Sequence, residues 1–360
     1  VALRLVRSAG GRPLPLAPDA PAGDERLVVI VPVLNEVARL GPCLDGLIAQ
    51  HDEVEQILVV DGGSTDGTQA LVRAYAGRTS RLRLIEAGPA PPGWNGKVWG
   101  LQVGLEQAGA AAWVLTIDAD VRPAPALARS LLAQARRTGL DVLSLATLQE
   151  IETAGEAFVH PALLATLIYR FGIPGRVSQR VSEVQANGQC CLIRRSLLAQ
   201  VGGFAAVRDS VCEDVTLARA LAAAGHPVGF FEAGALARCR MYTSGWETWR
   251  NWTRSLPLRD RYAGIAGLIG LAEVTLVQAL PVPWLLVVRW SGGERWSTAV
   301  NLALAMMRLG ILAGAARAYC RRPWSYWLSP LCDLPAALQL WRTAFRRQHS
   351  WRGRILVRGG

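Results

Sequence analysis

The residues best placed to do chemistry are carboxylates at the ends of apolar runs, together with a single lysine. Asp118-Ala-Asp120 sets two carboxylates one residue apart, directly after Trp113-Val-Leu-Thr-Ile117. Carboxylates this close repel and raise each other's pKa unless a cation joins them. Mg2+ or Mn2+ suits such a pair: a hard ion takes one or two carboxylate oxygens and completes its shell with substrate phosphates. Alone, a D-x-D also fits an ordinary loop or cap, but its place at a strand exit points to metal. A second acidic turn, Asp61-Gly-Gly-Ser-Thr-Asp-Gly-Thr68, follows another apolar run. Its glycines permit tight backbone geometry and Asp66 can cap the next helix. Asp61 is either part of that connection only or also a nucleoside ligand. Among 39 basic residues there is one lysine, Lys97, in Pro91-Pro-Gly-Trp-Asn-Gly-Lys97. A compact rotatable ammonium suits a diphosphate, and chance placement is the competing explanation.

The elements that must hold these groups alternate. Leu27–Val33 and Gln56–Asp61 are β-branched runs that read as buried strands, followed by helices near 36–50 and 67–76. Further strands are expected at Leu82–Glu86, Trp113–Asp118 and 141–147, with a helix around 213–224. Wholly apolar strands alternating with helices mean an α/β fold with a mostly parallel sheet covered on both faces. Ligands of such sheets bind at the carboxyl ends of the strands, where Asp61, Asp118 and Asp120 fall. Neither G-x-G-x-x-G nor a P-loop is present, which disfavours a dinucleotide or an NTP held in those ways.

Composition assigns the rest of the chain. Half of the 360 residues are hydrophobic, too many for a disordered chain. Residues 1–240 hold 23 basic and 23 acidic side chains, whereas 241–360 hold 16 and 5, so the whole net charge of +11 lies in the last third. That third also carries apolar runs at 263–288, 298–320 and 324–341. Basic clusters beside such runs indicate an anionic membrane surface rather than nucleic acid. No zinc-finger spacing, RNP-like aromatic pattern or basic helix supports nucleic-acid binding. A span needs about 20 apolar residues, so the first run is long enough, the second adequate and the third marginal. Three single crossings would put the catalytic region and the Arg-rich tail on opposite sides. A kinked hairpin at Pro281-Val-Pro283 or an interfacial third segment would remove that conflict. Glu273, Arg308 and Asp333 lie inside these runs, where charges are usually paired; Arg308 is expected to pair with one of the acids. The seven cysteines have no metal-ligand spacing and read as small core residues of a reducing compartment.

Val29-Ile-Val-Pro-Val-Leu-Asn-Glu36, Val59-Val-Asp-Gly-Gly-Ser-Thr-Asp-Gly-Thr68 and Asp118-Ala-Asp120, in this order, resemble the family 2 glycosyltransferases with the GT-A fold. Pro92–Lys97, Asn187–Arg195, Val201–Phe204, Cys212-Glu-Asp214, Arg240-Met-Tyr242 and Trp351-Arg-Gly-Arg354 are similar to the membrane branch with hopanoid-associated and carotenoid glycosyltransferases. The likeness covers about 27–260 strongly.

It implies a nucleoside pocket of Pro32, Glu36 and Asp61, ribose and metal-diphosphate at Asp118 and Asp120, and Asp214 as catalytic base, with Glu213 the alternative. Helix neighbours point about 100° apart, so only one of these two can face the reaction. The implied activity is inverting, metal-dependent transfer of a hexose from a UDP- or GDP-sugar to a lipid-like hydroxyl at the inner membrane, from the cytoplasmic face. Transfer to a polyprenyl phosphate and a catalytically silent membrane scaffold are the alternatives. Processive members carry Q-x-x-R-W; Trp246–Ser255 does not, which argues against polymer synthesis. That stretch reads as an interfacial helix whose Trp249 and Trp252, with Arg240, would meet the acceptor. The N-terminal anchor helix common in close relatives is not seen. The expected organisation is a loose leader at 1–26, a catalytic domain at 27–240, the Trp-rich helix at 241–260, membrane helices at 261–341 and a basic cytoplasmic tail at 342–360.

Overall fold

The structure, a computed structural model, describes residues 1–11, 13–15, 17, 23–258, 260–291, 294–346, 348–351 and 354–357. The elements run, in chain order, α1 (Ala2–Ser8), β1 (Leu27–Val33), α2 (Val37–Ile48), β2 (Val54–Asp61), α3 (Thr68–Ala76), β3 (Leu82–Glu86), α4 (Gly96–Glu106), β4 (Trp113–Ile117), β5 (Val121–Pro123) and α5 (Leu127–Thr138). Then come β6 (Val142–Ala146), the two-residue β7 (Leu148–Gln149), α6 (Ala154–Phe171), β8 (Arg176–Ser178), β9 (Cys190–Arg194), α7 (Arg195–Gln200), α8 (Glu213–Ala223), β10 (Val228–Glu232) and β11 (Ala237–Cys239). The remainder is helical: α9 (Gly245–Trp252), α10 (Gly264–Val274), α11 (Pro281–Ser291), α12 (Arg295–Ala315) and α13 (Asp333–Ala344). Two short strands, Gln348–Trp351 and Arg354–Val357, fall in the basic tail, of which residues 347, 352–353 and 358–360 lie outside the described ones.

The chain divides into two compact units. One, here the sheet unit, comprises Gly11–Leu148, Pro174–Cys239 and Ser350–Gly360; the other, the helical unit, comprises Val1–Gly10, Gln149–Ile173 and Arg240–His349. The range 27–240 read from the sequence therefore encloses residues 149–173, whose contacts lie in the helical unit, and the expected leader carries a helix at Ala2–Ser8.

The sheet unit is organised by an eight-stranded sheet in the order β3-β2-β1-β4-β9-β6-β10-β8. β3, β2, β1 and β4 are parallel to one another, as are β6 and β10, while β9 runs antiparallel between β4 and β6. Alternate residues of β1 feed two separate cores. Val29 and Val31 pack with Leu40, Leu44 and Leu131, and Val28 and Ile30 with Leu101, Leu217 and Leu221. Strands buried on both faces have to be apolar throughout, which is why β1 shows no polar alternation. Helix α4 approaches this sheet closely because its inner face is glycine. A Cβ on Gly104 would sit 2.5 Å from Ile30 Cγ2 and 3.1 Å from Val60 Cγ2.

The helical unit buries a polar group among its apolar clusters and exposes many large apolar side chains. Arg308 Nε and Nη2 donate to Asp333 Oδ2 and Oδ1 at 2.7 and 3.0 Å, with both residues 2% exposed. Gln278 Nε2 donates to the same Oδ1 at 2.8 Å, and Glu273 pairs with Arg4 at 2.8 Å. The expected pairing of Arg308 is therefore present, with Asp333 as the partner. Among the described residues, every exposed large apolar side chain except Val37 and Val177 belongs to this unit, including Trp246, Ile265, Trp284, Leu302 and Met306. Among the described residues, one helix, Arg295–Ala318, is long and apolar enough to cross a membrane, and Gly264–Ala279 with Pro281–Val288 form a pair bent by 44°. The bend falls at the Pro281-Val-Pro283 position where the sequence places a kink.

Gly104→Ala is expected to destabilise the protein by about 1–3 kcal/mol in denaturant unfolding, because the added methyl overlaps Ile30. Arg308→Leu is expected to cost about 3–5 kcal/mol, since it strands a buried carboxylate, and Arg308→Leu with Asp333→Leu to recover most of that loss. Thermal unfolding of the detergent-purified chain measures both, and an undiminished melting temperature for Arg308→Leu would contradict the ion-pair account.

Candidate active site

The loops after β1 and β2 are laced to each other. Asn35 N–H donates to Ser64 Oγ at 2.8 Å, Thr65 N–H to Asn35 Oδ1 at 2.9 Å, Glu36 N–H to Thr68 Oγ1 at 2.9 Å and Val37 N–H to Asp66 Oδ2 at 3.1 Å. Asp61, which ends β2, is fully buried. Its carboxylate accepts the backbone N–H groups of Gly63 and Ser64, the Ser64 hydroxyl, and Gln69 Nε2 at 2.7 Å. Asp61 thus fixes the turn that carries it. Pro32 lies in β1 beside α4, where a Cβ on Gly100 would come within 3.2 Å of its ring. Glu36 pairs with Arg39 at 2.9 Å, one helical turn on.

Asp118 and Asp120 leave the end of β4, as their spacing predicts. Lys97, in the first turn of α4, reaches Asp118 Oδ1 at 2.7 Å and Glu213 Oε1 at 2.8 Å. Asn95 caps that helix by accepting Lys97 N–H, and its amide donates to Ser210 O at 2.8 Å, tying the lysine turn to the segment before α8. Burial would discharge Lys97, but Asp118, Glu213 and Asp214 outweigh it and keep the ammonium charged well above its ordinary range. Burial lifts Asp118 to about 6 in spite of the lysine. It lifts Asp120 as well, against the opposing pull of the Arg39 guanidinium.

Glu213 and Asp214 open α8, where helix geometry turns them apart. Glu213 is held by Lys97, whereas Asp214 accepts the Gly188 N–H at 2.6 Å on Oδ2 and its own neighbour's, Val215, at 2.8 Å on Oδ1. A cavity of about 20 Å³ with Leu101, Phe204 and Leu217 in its walls lies against this carboxylate. Burial in these surroundings, reinforced by the Glu213 charge, raises Asp214 to about 7. A carboxyl group with this pKa can take a proton near neutral pH and give it up again. A Cβ on Gly188 would lie 2.8 Å from Lys97 Nζ and 3.2 Å from Glu213 Oε1, so a side chain there would displace the lysine end from its present position.

The residues present fit a divalent cation shared with a ligand. Asp120 Oδ1 is buried without a hydrogen-bond partner, and no group of three or more His, Cys, Asp or Glu side chains among the described residues is arranged to hold a metal unaided. One or two hard oxygens, completed by phosphate, is the usual Mg2+ or Mn2+ donor set.

The sheet unit thus collects Pro32, Glu36, Asp61, Lys97, Asp118, Asp120, Glu213 and Asp214. Arg240, Trp249 and Trp252 belong to the helical unit. There Arg240 pairs with Glu152 at 3.1 Å, and Trp249 and Trp252 are half-buried against Leu163, Leu256 and Leu340. Trp252 also stacks on His160, while Trp246 of the same helix is 72% exposed. Sequence reasoning did not single out Arg39, Gly188, Gln189 or Cys239. The three-residue spacing of Glu36 and Arg39 was a usable signal for the first; for the others only the quoted Asn187-Gly-Gln stretch pointed near them.

Residues 28–202 match the family model described as "Glycosyl transferase family 2". The chain is 39% identical over 101 residues to the lipopolysaccharide core biosynthesis glycosyltransferase LpsC of Rhizobium meliloti, covering 28% of this chain and 33% of that protein. It is 24% identical over 237 residues to the 4,4'-diaponeurosporenoate glycosyltransferase of Staphylococcus aureus, covering 64% and 60%. It therefore spans about a third of the first relative and three-fifths of the second. Among solved structures, the mannosyltransferase PcManGT of Pyrobaculum calidifontis, in complex with GDP-Man and Mn2+, is similar in fold, with a TM-score of 0.55 at 23% identity over 94% of this chain and 93% of that one. With strands, loops and acidic motifs in the order that the resemblance implied, the chain is built on the GT-A fold, and residues 28–202 resemble glycosyl transferase family 2.

Proposed function

We propose that this protein transfers a hexose from a UDP- or GDP-sugar to a hydroxyl of a membrane lipid, with inversion at the anomeric carbon. The observation that carries the reading is Asp214, a half-buried carboxylate raised to about 7 in the same cluster as Asp118 and Lys97. In this reading Pro32, Glu36 and Asp61 border the nucleoside, Asp118 meets the ribose, and Asp118 and Asp120 hold Mg2+ or Mn2+ with the diphosphate. A bound divalent cation supplies charge neutralisation to the departing diphosphate. Lys97 adds a second positive charge there, exchanging part of its contact with Asp118 for phosphate oxygens. Asp214 takes the proton of the acceptor hydroxyl as its oxygen bonds to the anomeric carbon and the bond from that carbon to the phosphate oxygen breaks. Glu213 is occupied by its contact with the Lys97 ammonium, which leaves Asp214 the better placed base.

The lipid acceptor and the membrane location are supported by the apolar surface of the helical unit and by the name of the 4,4'-diaponeurosporenoate relative. The 16 basic against 5 acidic residues of 241–360 favour a cytoplasmic catalytic face. The exposed Trp246, with Trp249, Trp252 and Arg240 of the same unit, would border the acceptor.

Radiolabelled sugar from a panel of UDP- and GDP-sugars, offered to membranes containing the protein, should enter the organic phase of a lipid extract. Asp214→Asn should lower the rate by about 10²–10⁴-fold, and a chelator should remove it. Label confined to the aqueous phase would exclude the lipid acceptor, a requirement for added polyprenyl phosphate would favour that acceptor instead, and absence of donor consumption would favour a scaffold. The pH profile makes a separate test. A base that must be deprotonated is active above its pKa, so kcat/KM should fall as pH drops through about 7. Lys97→Gln removes a charge that lowers the Asp214 pKa, so this limb should move to higher pH; an unmoved limb would separate Lys97 from the base.

A further inference from the structure

The carboxylate of Asp214 is held from two directions. Val215 N–H, from its own helix, meets Oδ1 at 2.8 Å, and Gly188 N–H, from the turn before β9, meets Oδ2 at 2.6 Å. The first contact comes with α8 itself, whereas the second exists only when the Asn187-Gly-Gln189 turn is in place. That turn is fastened on each side of Gly188. Ser144 of β6, fully buried, accepts Asn187 N–H at 2.7 Å and donates to Asn187 O at 3.2 Å. Asn187 Oδ1 accepts Gln189 N–H at 3.1 Å, which closes the turn on itself. Gln189, 4% exposed, accepts the Thr147 hydroxyl and Asn187 Nδ2 on Oε1 and donates from Nε2 to Cys239 Sγ at 3.0 Å. Its backbone carbonyl accepts Asp118 N–H at 3.2 Å. All these groups lie in the sheet unit. Glycine offers no side chain to fasten, so the position of its N–H is set by its two neighbours.

We propose that Ser144 and Gln189 are positioning residues for the base: by fastening the residues on either side of Gly188, they aim its N–H at Asp214 Oδ2 and fix the carboxylate for the acceptor hydroxyl. The inference rests on the base role given to Asp214 above. A base has to meet the proton it takes within hydrogen-bond reach, and fixed hydrogen bonds one layer out hold a side chain in such a geometry. The Gly188 N–H also favours the ionised carboxylate. Among the described residues, Glu213, Lys97 and the Cys191 thiol are the titratable groups that act on Asp214 or respond to it. Ser144 and Gln189 carry no charge, so exchanging them for uncharged residues reaches Asp214 through the turn.

Asp214 can be followed without turnover, by pH-difference infrared spectroscopy of the purified full chain, in which the carboxyl band lost in Asp214→Asn reports this group. Ser144→Ala and Gln189→Met should each raise its proton affinity about tenfold, because a displaced turn withdraws an N–H that favours the carboxylate. Ser144→Thr, which keeps the hydroxyl, should restore the wild-type titration. Sugar transfer gives the second readout. Both variants should lower the rate about tenfold or more in the wild-type background and change it little in Asp214→Asn, since residues acting through one group are not additive. Either variant carries the test if the other does not fold. Wild-type titration of Asp214 with rate losses that simply multiply those of Asp214→Asn would overturn the positioning role alone. An undiminished transfer rate in Asp214→Asn would overturn the base role and the inference with it.

Discussion

Four carboxylates, Asp118, Asp120, Glu213 and Asp214, converge on one small region of the sheet unit, and one ammonium group makes that arrangement tolerable. Lys97 contacts Asp118 and Glu213 directly and carries only 19% of its side-chain surface in solvent. Removing like charges from water while bringing them together is costly, and a shared cation offsets both terms. The neighbouring geometry follows. Glycine at 188 leaves room for Lys97 Nζ, and its backbone N–H reaches Asp214. Glu213, held by the lysine, leaves the adjacent carboxylate to titrate near neutrality.

The sheet supplies the rigidity this cluster needs. Asp61 and Asp118 follow strands whose residues are almost wholly buried, so the loops bearing them start from fixed points. The loops are then fastened sideways: Asn35 and Asp66 lace the β1 and β2 turns, Asn95 ties α4 to the segment before α8, and Gln189 reaches Cys239 of β11. Sites assembled from several strand ends tolerate little movement, because misplacing a reacting group by about 1 Å costs orders of magnitude in rate.

The helical unit uses the opposite arrangement. It buries an ion pair, Arg308–Asp333 with Gln278, while many of its large apolar residues, Trp246, Ile265 and Leu302 among them, face outward. In water that distribution is unfavourable, whereas beside lipid tails it satisfies both polar and apolar groups.

The sequence by itself determined the sheet and the identity of the acidic groups. Apolar β-branched runs can be stable only as buried strands, and aspartates at their ends must emerge where ligands bind, so Asp61, Asp118 and Asp120 were legible from position alone. The single lysine in an arginine-rich chain was legible as unusual, and Arg308 as a buried charge in need of a partner. Only the tertiary structure decided the partners. Lys97 meets Glu213 across 116 positions of sequence, a contact that no local pattern encodes. The antiparallel insertion of β9 was likewise hidden, since a strand buried on both faces reads the same in either direction. Helix α9 shows the same limit: its three tryptophans look alike in sequence, yet packing leaves Trp246 exposed and turns Trp249 and Trp252 toward the core. Burial, and with it the pKa of Asp214, arises from segments far apart in the chain, and those distances exist only once it has folded.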